Sequence, residues 1–330
     1  MEPVPPTSAP APAEPVVRVA IVAPAFNHAA ALSAVLDSLA ATRLPTIVVN
    51  DGSTDETAAI VASWSGEGRW VVTHPINAGK GGALRSGFEE ARRRGFTHAA
   101  TIDTDGQHDP SDLARLLELL DAHPDSLIIG ARSGGDRAPG KSEIGRRISN
   151  ALVRLESGVI VDDSQSGMRL YPLNLVGDLT VRAGRYGFET EVIVRAGWRG
   201  IPIVETPIRC IYDVPGGRTT HFRVGQDSLS AAAMHARLLL RGLWPDRARL
   251  PARGANAHTG SIPRRLLRWL SPVRLWDMLR GAGPERERAA ASFGVGVLMA
   301  VLPLYGVKTV LCLWLSDRLR LHPLAVIGAS

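Results

Sequence analysis

Along residues 17–132, short apolar runs alternate with stretches in which apolar positions recur every three or four residues. The runs are typical of buried strands and the stretches of amphipathic helices. The pattern predicts strands at residues 17–26, 46–51, 70–74, 98–105 and 127–132, and helices at residues 29–41, 54–65, 83–95 and 110–123. Because the two kinds of element alternate, we expect an α/β fold with a mostly parallel sheet, helices on both faces and ligands at the carboxyl ends of the strands.

The two ends of the chain and one internal segment lack this pattern. Residues 1–16 are rich in Pro and Ala, so we expect a disordered tail, and the absence of a basic and apolar leader argues against a signal peptide. Residues 17–241 form the expected main domain. Residues 242–262 fill with Pro, Gly, Arg and Asn, as in a linker.

Residues 263–330 have a different, membrane-like character. Residues 263–280 interleave arginines with leucines and two tryptophans, as in a basic helix in a membrane interface, although a core-packed helix with a solvated face has the same pattern. Residues 289–307 carry no charge, and as a helix they would be about 28 Å long. Gly and Pro residues interrupt this stretch, which is compatible with a membrane span, a helical hairpin or a buried helix.

Composition narrows the class of protein. The 330 residues are 45% hydrophobic and 21% charged, which excludes a wholly disordered or collagen-like chain. The two cysteines are too few for a disulfide framework, so we expect a reducing compartment. The net charge of +6 suits nucleic acid, anionic lipid or phosphorylated substrates. Because much of the basic excess lies beside apolar, Trp-rich sequence, we expect a membrane partner and no nucleic acid.

The strongest chemical signal follows the fourth predicted strand. Asp103 and Asp105 lie two residues apart, and Gly106 permits a turn. Two such carboxylates can bind one divalent cation. When the cation is Mg²⁺ or Mn²⁺, a diphosphate is often a further ligand. The alternative is a polar turn before the next helix, in which Asp109 suits the N-cap and Pro110 the first helical position. The pattern favours metal and diphosphate binding by Asp103 and Asp105.

A second polar cluster follows the second predicted strand. Ser53 or Thr54 can cap the next helix, and Asp55 and Glu56 suit its first turn. Asp51 has no such role. A carboxylate at this strand end can accept a hydrogen bond from a nucleobase N–H or a ribose hydroxyl, so Asp51 is a candidate nucleoside contact.

The glycine-rich loop at residues 77–82 places Lys80 before a helix, a feature suited to an anion. His74 stands where a Walker loop needs glycine, and Gly81 where it needs Ser or Thr. Leu84 stands where a dinucleotide fingerprint needs glycine. Taken alone, the loop fits ligand binding and a plain turn equally.

Taken together, these segments resemble the family 2 glycosyltransferases, especially the polyprenyl (dolichyl) phosphate mannose and glucose synthase branch with its GT-A, Rossmann-like fold. The resemblance covers about residues 17–241. It rests on Pro24-Ala-Phe-Asn27, Asn50-Asp51-Gly-Ser-Thr-Asp55, Asn77-x-Gly-Lys-Gly81, Asp103-Thr-Asp-Gly-Gln107, Gly130-Ala-Arg132, Ser166-Gly-Met-Arg169 and Gly216-Gly-Arg-Thr-Thr-His221. From about residue 263 the chain is similar to a membrane-associated domain of unknown function that is fused to such transferases.

The resemblance implies a donor site for a UDP- or GDP-linked sugar, made by Pro24, Phe26, Asn27, Asp51, Lys80 and Asp103. It implies that Asp103, Asp105 and Gln107 hold Mg²⁺ or Mn²⁺. Two departures from the family pattern fall on the nucleoside side and leave the base open. His28 and Ala29 replace a common acidic residue, and Asn50 replaces the first aspartate of a usual pair.

The resemblance also implies an acceptor site. Arg132 would face the reacting phosphates. Arg146 and Ser149 share one face of a predicted helix and are similar to the acceptor-phosphate contacts of the family, with a solvated face as the alternative.

Arg169, Arg218, Glu189 and Glu191 would lie in the region that closes over donor sugar and acceptor. We expect Arg169 and Arg218 to contact the acceptor and Glu191 to take part in catalysis. The alternative for both glutamates is a role as first-turn helix carboxylates.

These observations predict an inverting, metal-dependent transfer of a sugar from a nucleotide diphosphate to a polyprenyl phosphate at the cytoplasmic face of the cell membrane. A phosphate monoester attacks as an anion, and Arg132, Arg146 and Arg218 suit it. A hydroxyl acceptor would need a base, for which Glu191 is a candidate. The alternatives are a hydroxyl-directed glycosyltransferase on the same fold and a catalytically silent nucleotide-sugar-binding membrane scaffold.

Overall fold

A computed structural model describes residues 17–135, 140–185, 187–212, 224–243 and 318 of the chain. The strands are β1 (Val19–Ala25), β2 (Thr46–Asn50), β3 (Arg69–Thr73), β4 (His98–Thr101), β5 (Leu127–Gly135), β6 (Arg169–Pro172) and β7 (Ile203–Cys210). The helices are α1 (Ala29–Ala41), α2 (Thr57–Trp64), α3 (Lys80–Arg93), α4 (Leu113–Ala122), α5 (Gly140–Ser157), α6 (Leu173–Gly177), α7 (Gly187–Arg199) and α8 (Val224–Leu243). The expectations for residues 1–16, for nearly all of residues 242–262 and 263–330, and for Arg218 lie outside the described residues.

The strands form one mixed sheet in the order β3-β2-β1-β4-β6-β5-β7. β1 is parallel to β2 and β4, β2 is parallel to β3, and β5 is parallel to β7. β6 is antiparallel to both of its neighbours, β4 and β5. The expected α/β fold with a mostly parallel sheet is confirmed.

Two apolar cores lie on the two faces of the sheet. Along β1, Ala20 and Val22 belong to one core, and Ile21 and Ala23 to the other, as the alternation of side chains along a strand requires. Helices α3, α5, α7 and α8 contribute to the first core, and helices α1, α2 and α4 to the second. Burial on both faces explains why the strands appear in the sequence as continuous apolar runs.

The predicted helices are present, and α2 and α3 differ from the prediction in their first residue. Helix α1 covers residues 29–41 as predicted. Helix α2 begins at Thr57, where the Asp55 carboxylate, rather than Ser53 or Thr54, accepts a hydrogen bond from the Thr57 backbone N–H at 3.0 Å. Helix α3 begins at Lys80 instead of residue 83, so the glycine-rich loop supplies the first turn of a helix.

Differences also occur around the acidic motif. β4 ends at Thr101, so Asp103 and Asp105 follow the strand instead of ending it. The predicted helix at residues 110–123 is divided into a 3-10 turn at Pro110–Asp112 and helix α4. Asp109 accepts a hydrogen bond from the Ser111 backbone N–H, which confirms its N-cap role.

The sequence pattern did not predict β6, which pairs with β4 and β5, or the edge strand β7. In the part of the chain that the structure describes, no helix is long and apolar enough to cross a membrane.

Candidate active site

The predicted donor and acceptor segments meet at one edge of the sheet. β1, β2 and β4 are parallel, and β4 and β5 both run antiparallel to β6. The carboxyl ends of β1, β2, β4 and β5 therefore share one edge. Residues 26–28, Asp51 and residues 102–108 follow β1, β2 and β4 directly, and Arg132 lies in the carboxyl-terminal half of β5. The segment at residues 163–168, which leads into β6, reaches the same edge.

Lys80 joins two acidic groups that are far apart in the chain. Its Nζ lies 2.6 Å from Asp103 Oδ1 and 2.5 Å from Glu189 Oε1. Burial opposes the ammonium charge, but Asp103 and Glu189 outweigh it and hold the pKa of Lys80 above its ordinary value. Burial likewise opposes the carboxylate charge of Asp103, while Lys80 and His108 keep the pKa of Asp103 below its ordinary value. The site is therefore a charged network rather than a pair of free aspartates.

The second carboxylate shapes the turn that follows β4. Asp105 Oδ1 accepts a hydrogen bond from the Gln107 backbone N–H at 3.0 Å. Gly106 has a φ of +79°, a conformation that glycine adopts without steric cost. Gln107 is buried, and its backbone oxygen accepts a hydrogen bond from the Ile211 N–H. The polar turn that the sequence offered as an alternative to a metal site is therefore present, and the same turn carries Asp105 beside Asp103.

The position of Gly167 shows how closely the chain packs around Asp103. A Cβ atom at residue 167 would lie 2.1 Å from Asp103 Oδ2, a distance that no side chain can adopt without displacing the carboxylate.

The described residues hold no group of three or more His, Cys, Asp or Glu side chains able to bind a metal. Mg²⁺ is commonly bound by one or two protein carboxylates, with substrate phosphates and water as its other ligands. Asp103 and Asp105 supply two carboxylates, and the chain at Gly167 packs closely against Asp103. These two residues therefore fit such an ion.

His108 is a buried imidazole beside the acidic part of the site. Its Nε2 is 3.9 Å from Asp103 Oδ2, and its buried Nδ1 has no hydrogen-bond partner among the residues that the structure describes. Burial lowers the pKa of His108, and the charges that act on its ring include Asp103, Asp105 and Arg132. One imidazole is therefore within electrostatic reach of both the carboxylates and Arg132.

Asp51 holds the loop that follows β3. Its Oδ1 accepts hydrogen bonds from His74 Nδ1 at 2.7 Å and from the Ala78 backbone N–H at 2.8 Å. The Asn77 side chain donates to the Asp51 backbone oxygen. The structure thus gives Asp51 a structural role that the sequence did not indicate, alongside its expected contact with the nucleoside.

The end of β1 and the loop that follows it form hydrogen bonds with Thr54 and Thr104. Pro24, in β1, accepts a hydrogen bond through its backbone oxygen from Thr104 Oγ1. The Asn27 side chain accepts from the Thr54 N–H at 2.8 Å and donates to Thr54 Oγ1 at 3.3 Å. His28, one of the two residues that replace a common acidic residue of the family, places its Nδ1 2.8 Å from Thr104 Oγ1.

Phe26, also in this loop, is half-buried. Since the Asn27 amide is already engaged with Thr54, the geometry favours a supporting role for Asn27 rather than a direct donor contact.

Arg132 and Arg146 surround a buried aspartate. Arg132 Nε and Nη2 donate to Asp163 Oδ2 and Oδ1 at 2.6 and 2.9 Å. Arg146 Nη1 donates to the Arg132 backbone oxygen at 3.1 Å and lies 3.9 Å from Asp163 Oδ2. Burial raises the pKa of Asp163, but hydrogen bonds and charge from Arg132 bring it below its ordinary value. We call these three residues the arginine cluster.

The segment that carries Asp163 is fixed from two sides. Glu205 on β7 accepts hydrogen bonds from the backbone N–H groups of Asp162 and Asp163. Ser164 Oγ donates to Ser149 Oγ at 2.8 Å, and Ser149 is buried. Ser149 therefore lies beside the arginine cluster as expected, with its hydroxyl engaged in holding the segment. Nothing in the sequence marked Asp163 as the partner of Arg132.

Two expected site residues are fully buried and form hydrogen bonds within the fold. Arg169 is fully buried, and its guanidinium donates to the backbone oxygens of Ser166, Glu189 and Ser164 at 2.7 to 2.8 Å. It organises the segment before β6, and its expected contact with the acceptor stays a prediction.

Glu191 is also fully buried. Its Oε1 accepts from Arg195, and its Oε2 accepts from the Ala183 N–H at 2.6 Å and from Arg237 at 2.7 Å. Both oxygens are engaged in joining α7 to α8 and to the preceding loop. This geometry opposes the expected catalytic role and leaves Glu189, the partner of Lys80, as the glutamate nearer to the site.

Comparisons with known proteins define the class. The family model described as Glycosyl transferase family 2 matches residues 20–175. An uncharacterized glycosyltransferase of Mycobacterium tuberculosis is 32% identical over 192 residues, which cover 58% of this chain and 84% of that relative. The chain therefore belongs to glycosyl transferase family 2 and is a glycosyltransferase, so the catalytically silent scaffold is set aside.

Two further proteins are similar over most of the main domain. The polyprenol monophosphomannose synthase of Mycolicibacterium smegmatis is 29% identical over 258 residues, covering 74% of this chain and 94% of the relative. A crystal structure of glucosyl-3-phosphoglycerate synthase from Mycobacterium tuberculosis with Mn²⁺, UDP and phosphoglyceric acid is 25% identical, with a TM-score of 0.52 and coverage of 70% of this chain and 81% of that one. The likeness confirms the expected GT-A, Rossmann-like fold.

Proposed function

We propose that this glycosyltransferase moves a sugar from a UDP- or GDP-linked donor to the phosphate of a polyprenyl lipid, with inversion at the anomeric carbon. The observation that carries this proposal is the placement of two carboxylates after β4 and of the arginine cluster beside β5, at one edge of the sheet. Carboxylates suit a metal–diphosphate complex, and guanidinium groups suit a phosphate. The site thus offers separate places for an anionic donor and an anionic acceptor.

On the donor side, Asp103 and Asp105, together with the amide of Gln107, would hold Mg²⁺ or Mn²⁺. When bound, the ion supplies neutralisation of the charge on the departing nucleoside diphosphate. The N-terminus of α3 begins at Lys80, and the backbone N–H groups of a helix N-terminus favour an anion. Lys80 adds a side-chain cation at the same place.

On the acceptor side, Arg132 and Arg146 would seat the lipid phosphate, with Ser149 behind them. One phosphate oxygen forms a bond to the anomeric carbon as the bond from that carbon to the donor diphosphate breaks, and the electron pair leaves with the nucleoside diphosphate. A phosphate monoester is ionised near neutral pH, so this displacement requires no general base. The engagement of both Glu191 oxygens in hydrogen bonds supports an acceptor that needs no base from that residue.

Similarity to the polyprenol monophosphomannose synthase supports a polyprenyl acceptor, because this chain covers 94% of that relative's length. The bound Mn²⁺ and UDP in the glucosyl-3-phosphoglycerate synthase crystal structure support a metal-dependent nucleotide-sugar reaction. We further propose that the protein works at the cytoplasmic face of the cell membrane, with residues 263–330 in contact with lipid, as their arginine-rich and apolar sequence suggests.

The experiment is product analysis with a panel of UDP- and GDP-linked sugars. Membranes that contain the full chain are incubated with undecaprenyl phosphate and each sugar nucleotide, with and without Mn²⁺, and lipids are analysed by mass spectrometry. We expect one sugar to appear as a lipid-linked phosphodiester, only when the metal is present. Asp105→Asn should lower its formation at least about a hundredfold, since it removes one anionic ligand. Product formation at the normal rate by Asp105→Asn would contradict the assignment.

A further inference from the structure

Helix α5 exposes a row of apolar side chains. Ile144, Ile148 and Leu155 are 58%, 37% and 52% exposed, and Ala151 between them is also exposed. Spacings of four, three and four residues place these positions on one face of the helix, opposite the buried side chain of Val153. We call Ile144, Ile148, Ala151 and Leu155 the α5 stripe.

Arginines flank the α5 stripe. Arg147 and Arg154 are exposed, and a rotation of about 100° per residue places both along the same side of the stripe. Arg147 forms an exposed ion pair with Glu143 at 2.5 Å. Such a surface pair is weak, so the guanidinium can exchange its partner for another anion. Apolar side chains bordered by arginines are typical of a helix that lies on an anionic lipid surface.

The other side of the same helix faces the arginine cluster. Arg146 donates to the Arg132 backbone oxygen, and Ser149 is buried against Ser164. The α5 stripe and these two acceptor candidates are thus separated by about one helix diameter, roughly 10 Å. A lipid whose chain stays in the bilayer can present its phosphate to the cluster only if the bilayer surface lies close to α5.

We propose that the α5 stripe docks on the surface of an anionic bilayer and so brings the arginine cluster within reach of a lipid phosphate. The proposal rests on the proposed function for the identity of the acceptor, but the docking itself requires no transfer reaction. Residues 263–280 are another apolar segment, and they carry five arginines and one aspartate. Their positive charge opposes packing on the arginine-flanked stripe, whereas an anionic bilayer attracts both.

An environment-sensitive dye on the stripe tests the contact directly. The dye is attached to Ile148→Cys in the full-length chain with Cys312→Ser, since the remaining Cys210 is buried. The matched control is Ala34→Cys, an exposed position on α1, whose helix packs on the other face of the sheet. With vesicles of phosphatidylglycerol and phosphatidylethanolamine that carry a lipid-attached nitroxide, we expect quenching of the dye at residue 148 and none at residue 34.

The alternatives give different results in the same experiment. If the chain sediments with the vesicles while the dye at residue 148 stays as accessible to aqueous iodide as in the free protein, the proposal is wrong. Protection from iodide without quenching by the lipid nitroxide would also overturn it, in favour of cover by residues 263–280 or by a second copy of the chain. Failure of the full chain to sediment with these vesicles would overturn it as well.

A variant of the stripe separates docking from transfer. In Ile144→Ser/Ile148→Ser/Leu155→Ser we expect transfer to undecaprenyl phosphate in vesicles to fall at least about tenfold, because apolar contact with the bilayer is lost. Transfer to a short-chain, water-soluble polyprenyl phosphate should be retained, and an equal loss with both acceptors would contradict the docking role. Ile76→Ser removes a 76% exposed isoleucine after β3 and should leave vesicle sedimentation unchanged.

If the wild-type chain uses neither acceptor, the proposed function fails, while quenching at residue 148 still decides whether α5 contacts the bilayer.

Discussion

Lys80 Nζ lies 2.6 Å from Asp103 Oδ1, so the ammonium of a lysine and a divalent cation would compete for the same carboxylate. The lysine is held from its other side by Glu189 at 2.5 Å. A donor diphosphate at the N-terminus of α3 would offer this ammonium a different anion. The geometry therefore links metal binding at Asp103 to the arrival of the nucleotide.

Replacing Lys80 by Met should release Asp103 and strengthen binding of Mn²⁺ to the protein without nucleotide by about tenfold or more, since a nearby positive charge is removed. The same change should raise the KM for the donor. Titration of Mn²⁺ by electron paramagnetic resonance measures the first effect, and Lys80→Arg, which keeps the charge, is the control. Unchanged or weaker Mn²⁺ binding by Lys80→Met would show that the ammonium does not compete with the metal.

Gly167→Ala should displace Asp103, because its Cβ would lie 2.1 Å from Asp103 Oδ2. We expect kcat to fall at least about tenfold, as is usual when a catalytic geometry shifts by about 1 Å. The matched control is Gly145→Ala on α5, where a Cβ meets no atom of the described residues within 4 Å. It should keep full activity and gain about 0.5–1 kcal/mol of helix stability. Normal kcat in Gly167→Ala would indicate that the position of Asp103 is not important for the reaction.

Protonation of Asp163 at acid pH should lower the free energy of unfolding. Burial raises its pKa, but Arg132 lowers it below the ordinary, unfolded-state value. The contribution of Asp163 to the free energy of unfolding is therefore present above about pH 4 and lost as the pH falls through the folded-state pKa. Asp163→Asn should be less stable near neutral pH by about 3–5 kcal/mol, because Arg132 loses a buried partner.

Thermal unfolding at pH 7 and at several values below pH 4 measures this dependence. The difference in Tm between wild type and Asp163→Asn should shrink as the pH falls. A difference that stays constant would show that the ion pair with Arg132 does not account for the stability contributed by Asp163.

Glu191→Gln distinguishes a structural glutamate from a catalytic base. Because Glu191 Oε2 accepts hydrogen bonds from Ala183 and Arg237, the change should lower stability by about 3–5 kcal/mol, the cost of breaking a buried charge pair. The kcat of the folded fraction should stay near that of wild type, with an unchanged pH profile. A fully stable variant without turnover would restore the catalytic role expected from the sequence.

Local patterns in the sequence predicted the local structure well. Helix α1 and the Asp109 N-cap follow from apolar spacing and from a residue that accepts a hydrogen bond two positions along the chain. The placement of Asp103 and Asp51 at one sheet edge follows from the alternation of strands and helices. These features depend on neighbours within a few residues, which a sequence shows directly.

Roles that depend on distant partners could not be predicted in the same way. Glu191 meets Arg237, 46 residues away, and Lys80 meets Glu189 on α7. Arg169 is buried among backbone oxygens that the sequence gives no means of locating. The short motif around Arg169 could not show these partners, and only the packing of that region shows that its guanidinium is buried and bonded to backbone oxygens.

Transfer to undecaprenyl phosphate compared with undecaprenol tests the central claim most directly, because the two lipids differ only in the phosphate that the arginine cluster would bind. With the full chain, Mn²⁺ and the accepted nucleotide sugar, we predict a sugar-phosphate lipid from undecaprenyl phosphate and no product from undecaprenol. Arg146→Ala should raise the KM for undecaprenyl phosphate and leave donor binding nearly unchanged. Transfer of the sugar to undecaprenol, with none to undecaprenyl phosphate, would contradict the account and identify a hydroxyl-directed glycosyltransferase.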